Sequence, residues 1–78
     1  MTLLIRRSVG PEVKQLQENL NTVGVPVDVD GIYGAATEHA VQTFQKGFSL
    51  EADGKYGPAT DAKMQEALEQ ARAAKPGA

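Results

Sequence analysis

The stretch Asp30-Gly31-Ile32-Tyr33-Gly34-Ala35-Ala36-Thr37-Glu38 returns 23 residues later as Asp53-Gly54-Lys55-Tyr56-Gly57-Pro58-Ala59-Thr60-Asp61, with six identities in nine positions. In both copies the Asp can accept backbone N–H groups within a turn, and the first Gly supplies a positive φ. The second Gly then frees the backbone to enter a helix, with Ala or Pro at its first position. A tight turn that feeds a helix is therefore written twice. A second echo, at an offset of 28, aligns Val13-x-x-Leu16-Gln17-x-x-Leu20 with Val41-x-x-Phe44-Gln45-x-x-Phe48. The two self-similarities overlap, so the middle of the chain belongs to both.

Working outward, the apolar spacing gives the rods that these turns connect. Val13, Leu16, Leu20 and Val23 fall on one stripe of a helix from about Pro11 to Val23, which Gly24 ends. Ala40, Val41, Phe44 and Phe48 line a second helix from about Ala35 to Lys46, and Met64, Ala67, Leu68 and Ala71 a third from about Pro58 to Ala73. Glu38 and Asp61 put negative charge in the first turns, where the helix dipole favours it. Val25 to Val29 comes closest to a strand, but Pro26 and its shortness make it an extended loop or half of a tiny hairpin. The expected fold is all-α, a three-helix bundle with two D-G-x-Y-G turn loops. Residues 1–70 form the domain, and residues 71–78, poor in large apolar side chains, form a helix end and a linker or tail.

Composition narrows the function classes. A chain of 78 residues has apolar material for one core, and with no cysteine that core is held by packing rather than by disulfides or thiolate metal sites. Eight Lys and Arg against ten Asp and Glu give a net charge of −2, which is no footprint for nucleic acid or an anionic membrane. The first residues, Met1 to Arg7, place their charges after an apolar run, the reverse of a secretory signal, and no segment approaches the ~18 apolar residues of a membrane span. The expectation is a monomer made in the cytoplasm and taken to its place of action by another route.

Catalysis finds few residues to use. His39 is the sole histidine and flanks the apolar stripe of helix two, Ser8 and Ser49 are the only serines, and no nucleophile or zinc frame surrounds them. No catalytic residue, cofactor or metal is assigned. Calcium is the sharper rival, because Asp28-x-Asp30-Gly31 looks like the middle of an EF-hand loop. With Gly31 as the sixth loop residue, however, Pro26 falls at the first position and Thr37 at the twelfth. The second copy places Ser49 and Thr60 there, so both loops lack their two strongest ligands. A dockerin-like calcium-dependent protein-interaction module stays as an alternative, as does an adaptor domain recognising protein.

Binding chemistry is better supplied. Two similar turns with an aromatic ring apiece can line a shallow groove that offers N–H donors, a phenol edge and a hydroxyl to a polar ligand such as a sugar amide or short peptide. Tyr33 and Tyr56 read equally as core wedges or groove walls. Gln17 and Gln45 sit on the edge of apolar stripes, where a half-buried amide must find partners, and tying down a neighbouring loop carbonyl is favoured over direct ligand contact. Arg6 and Arg7 form the only adjacent basic pair, a solvated arm or a contact for ligand carboxylates.

The order V-G-P-E-V-x-x-L-Q-x-x-L (Val9 to Leu20), D-G-I-Y-G-x-x-T-x-x-A-V-x-x-F-Q (Asp30 to Gln45) and L-x-x-D-G-x-Y-G-x-x-T (Leu50 to Thr60) resembles the peptidoglycan-binding domain type 1 family. The likeness covers about Leu4 to Leu68, with Lys55 standing where the family tends to have an aliphatic residue. It implies a compact three-helix module without activity of its own, which binds bacterial peptidoglycan, glycan strand or stem peptide, and anchors a cell-wall hydrolase in the same chain. Met1 directly before the module and the Ala, Lys, Pro and Gly of the end look like the amino-terminal part of a modular phage endolysin. The resemblance implies a ligand surface at Asp30, Gly31, Tyr33, Gly34, Thr37, Gln45, Asp53, Gly54, Tyr56, Gly57 and Thr60, and a place of action at the cell wall or periplasm.

Overall fold

Pro11 and Pro58 each open a helix, at the one place where a missing N–H costs no hydrogen bond. In the computed structural model, which describes residues 3–73, the helices are α1 (Pro11–Thr22), α2 (Ala35–Gly47) and α3 (Pro58–Ala73). The expected ends hold to within a residue. The boundary expected after residue 70 falls inside α3, and residues 74–78 of the expected tail lie outside the described residues. Gly10 and Gly34 cap α1 and α2 without a side-chain cap bond. Among the described residues no helix is long and apolar enough to cross a membrane.

The stripes read from the sequence meet in one core. Val13, Leu16 and Leu20 of α1 pack with Ala40, Val41 and Phe44 of α2 and with Met64, Ala67 and Leu68 of α3. α1 is the central rod, packed against both others. Leu4, Tyr33 and Tyr56 close the core from the loops. Each large side chain taken from water in this way contributes roughly 1.5–3 kcal/mol. At the far end Phe48 stacks on Phe44, ring centroids 4.7 Å apart.

The connections differ in how they are held. Val25 to Val29 forms no hairpin. Instead the Asn21 side chain acts as a surrogate strand, donating to the Val27 carbonyl at 2.7 Å and accepting from the Val27 N–H at 3.2 Å. Just past α2, Ser49 adopts the left-handed region at φ 59, which brings the Leu50 N–H within 2.8 Å of the Gln45 carbonyl. That turn is one glycine usually makes.

The sequence reading did not anticipate the N-terminal segment. Residues 3 to 10 run as a strap across both loops. Leu4 exchanges both backbone hydrogen bonds with Tyr56, at 3.1 and 2.8 Å, and Val9 pairs with Ile32 through flanking bonds at 2.9 and 3.0 Å. The two D-G-x-Y-G turns are thereby laced to the same piece of chain. Between these pairs Arg7 adopts φ 80 and Arg6 reaches Glu38 at 3.1 Å. Arg6 is exposed and Glu38 about a third exposed, so solvent screens the pair and it adds little.

Candidate functional site

Gln17, on the buried side of α1, points its amide into the first loop. Its Oε1 accepts the N–H groups of Asp30 and Gly31 at 3.0 and 2.8 Å. Its Nε2 faces the Asp30 carboxylate, the Ile32 carbonyl and the Thr37 hydroxyl at 2.9, 3.1 and 3.0 Å. Gln45 repeats the arrangement from α2 into the second loop. Its Oε1 takes the Gly54 N–H at 3.0 Å, and its Nε2 faces Asp53 Oδ1, the Lys55 carbonyl and Thr60 Oγ1 at 3.1, 2.9 and 3.0 Å. Both glutamines are at most 1% exposed. Their bonds to Thr37, Thr60 and the Gly54 N–H are buried, away from competing water, and the others lie partly exposed.

The two overlapping repeats now have one physical cause. Each unit is a helix that lends a glutamine, a D-G turn wrapped around the amide, and a following helix that lends a threonine. α2 serves as second helix of the first unit, through Thr37, and first helix of the second, through Gln45. The expected tie between glutamine and loop carbonyl is present in both, and it is one bond of a larger set. The aspartates complete each turn, Asp30 accepting from the Ile32 N–H at 3.0 Å and Asp53 from the Lys55 N–H at 2.9 Å. Those N–H groups, and the glutamine amides with them, hold both carboxyls below the usual aspartate range. Gly31 and Gly54 adopt the positive φ the turn requires, 76 and 73, whereas Gly34 is extended at φ −102 and any residue could take its conformation.

The tyrosines resolve in favour of the core. Tyr33 is 1% and Tyr56 7% exposed, and burial pushes both phenols well above their ordinary pKa. Tyr33 donates to the Gly54 carbonyl at 2.6 Å, so the ring of the first loop braces the second, and Tyr56 donates to Asp61 at 2.7 Å. The rings therefore do not wall a groove between the turns. The residues singled out from the sequence fall into two clusters. Asp30, Gly31 and Thr37 gather on Gln17, while Asp53, Gly54 and Thr60 gather on Gln45. Within them Thr37, Gln45, Gly54 and Thr60 are buried, while Asp30 and Asp53 are exposed and Gly31, Gly34 and Gly57 half-exposed.

Two surface depressions flank the Leu4–Tyr56 pair. One, of about 260 Å³, lies between the second loop and the first turn of α3, with Leu3, Leu50 and Pro58 as apolar wall and Glu51, Asp53 and Lys55 as charged rim. Gln45, Gly57 and Thr60 also reach its lining, but no residue of the first loop does. The other, of about 210 Å³, runs between α1 and α3 over Leu4, Leu16 and Tyr56. Sequence reasoning missed the polar residues of this second depression, because surface amides on helices carry no periodic signal. Among the described residues, no group of three or more His, Asp or Glu side chains converges as metal ligands would.

Comparison with known proteins agrees with the three-helix fold. A family model described as a peptidoglycan binding domain matches residues 9–64. The chain is similar to the N-terminal domain of SleB, with 32% identity over 86% of this chain and 93% of that one and a TM-score of 0.81. It is also similar to the endolysin of Burkholderia phage AP3, with 40% identity over 81% of this chain and a TM-score of 0.79, but spans only 24% of that protein. A peptidoglycan-binding protein from Clostridioides difficile, solved in complex with glutamine hydroxamate, gives 40% identity over 81% of this chain and 40% of its own length, at a TM-score of 0.78. No curated protein matches.

Proposed function

The chain belongs to the peptidoglycan-binding domain family, and from that premise we propose that it anchors a cell-wall hydrolase of the endolysin type, carried in the same chain, to its polymer. Residues 1–70 are the binding unit in this reading. The family, rather than a dockerin-like calcium module, accounts for the D-G turns, whose carboxylates are bound to backbone and glutamine N–H groups. Work at the cell wall follows from the ligand. A tether of this kind raises the effective concentration of substrate at an attached enzyme, so weak affinity suffices.

The observation that carries the site is the division of labour within the glutamine clusters. Tyr33, Thr37, Gly54, Tyr56 and Thr60 spend their polar atoms on the protein, so they act as scaffold. Ligand contact falls to the rim they hold rigid, above all Asp53, Lys55 and Gly57 beside Leu3 and Leu50. Asp30, Gly31 and Gly34 offer the equivalent rim of the first loop. A rim preorganised by buried bonds loses little entropy on binding.

Co-sedimentation with purified sacculi tests the function. The protein pellets with the wall at modest salt and releases no soluble muropeptide or reducing sugar. Protein left in the supernatant refutes the anchoring role, and released fragments refute the absence of catalysis.

A further inference from the structure

The groove between α1 and α3 combines an apolar floor with acidic and amide walls. Its floor is apolar, made by Leu4, Leu16 and the Tyr56 ring, and its polar walls hold only carboxylates and amides: Glu12, Gln15 and Asn19 from α1, Asp61 and Gln65 from α3. No Lys, Arg or His lines it. Internal bonds leave part of this chemistry open. Gln15 donates to Asn19 at 3.0 Å, and Tyr56 and Gln65 both point to Asp61 Oδ1. Among the described residues, Glu12 and Asp61 Oδ2 receive no hydrogen bond and neither carboxylate is in an ion pair. The groove thus presents two carboxylates, each in the first turn of its helix and neither with a cationic side chain beside it, above a greasy strip with amides alongside.

We infer that this groove is a subsite for a primary aliphatic amine on a short peptide, namely the side-chain amine of the diamino acid in a peptidoglycan stem peptide. The inference rests on the peptidoglycan-binding reading and names which part of the polymer is recognised. The ammonium meets Glu12 and Asp61, the methylene arm lies on Leu4, Leu16 and Tyr56, and the flanking peptide groups meet the amides of Gln15, Asn19 and Gln65. Size points the same way. At about 210 Å³ the groove is smaller than the roughly 300–1,000 Å³ that encloses a whole small ligand, which suits one side chain and its adjoining amides. A glycan amine, as on a de-N-acetylated sugar, has no methylene arm for the floor to cover.

The experiment titrates the 78-residue chain, followed by NMR, with a lysine-containing stem tetrapeptide, with the same peptide acetylated at Nε, and with a de-N-acetylated glucosamine tetramer. Expected are shifts of the Gln15, Asn19 and Gln65 side-chain amides with the free peptide. Acetylation weakens that binding about fivefold to tenfold, and Glu12→Gln about threefold, as for exposed charge pairs. Glu12 touches neither glutamine cluster, so the variant keeps the fold. Equal affinity for free and acetylated peptide overturns the subsite. Binding of the glucosamine tetramer in place of the peptide overturns it in favour of a glycan amine. Wild-type protein that pellets with sacculi while either result holds leaves the anchoring role standing, and failure to pellet removes both.

Discussion

Replacing Gln45 by Met keeps nearly the same length and volume in α2 while removing the amide. Four groups lose their partner, but water can reach only some of them. The bonds to Asp53 and Lys55 lie partly exposed, whereas those to the Gly54 N–H and the Thr60 hydroxyl are buried. A buried polar group left unpaired costs about 1–3 kcal/mol. The two together, at the low end of that range for the hydroxyl that loses only a donor, come to about 3 kcal/mol. At about 0.05–0.15 kcal/mol per residue, a domain of 78 residues has only about 4–12 kcal/mol in total. The substitution therefore consumes a quarter or more of the stability and lowers Tm by about 12–24 °C. Urea unfolding followed by circular dichroism at constant m-value is the assay. Adding Thr60→Val removes one orphaned group, so the double variant regains part of the loss. A loss below about 1 kcal/mol for Gln45→Met, with unchanged m-value, refutes the view that the amide holds the second loop.

Other expectations follow from the same contacts. Tyr33→Phe strips the 2.6 Å bond to the Gly54 carbonyl and is expected to cost about 1–2 kcal/mol in the same unfolding assay. Gly54→Ala must adopt φ 73 and also places its Cβ 2.7 Å from the Glu38 Cγ; it destabilises more than Gly24→Ala, which meets nothing, by calorimetric Tm. Ser49→Gly relieves a left-handed residue and raises stability by about 0.5 kcal/mol, the relief of strain exceeding the added chain entropy. Asp30 and Asp53 titrate lower in the folded protein than in the unfolded chain, so their contribution is present above the unfolded pKa, near 4, and is lost as pH falls through the folded values. Melting temperature therefore drops on acidification below about pH 4, and Asp30→Asn with Asp53→Asn flattens that drop.

Much of this architecture was legible in the residues because its signals are local or periodic. The stripes of Val13, Leu16 and Leu20, or of Val41 and Phe44, have helical spacing, and the D-G pairs announce their left-handed glycines. Gln17 and Gln45 sit where an amide is awkward, though nothing in the sequence says that they gather five and four polar groups around them. The strap was hidden. Leu4–Tyr56 and Val9–Ile32 are single pairings without a run of alternation, and nothing in Thr2 to Val9 says which residue will meet which loop. The tyrosines were equally ambiguous, since a ring in a turn has no period to say whether it faces in or out. The candidate ligand surfaces are harder still, because they are built from what remains exposed after the buried network is complete.

One substitution within the repeat decides how long the series can run. Aligned on their entry threonines, α2 has Gln45 eight residues after Thr37, whereas α3 has Leu68 eight residues after Thr60, and Leu68 lies in the core at 3% exposure. With an aliphatic side chain in that register, the last rod has no amide around which a further bend could wrap. The duplication closes on grease.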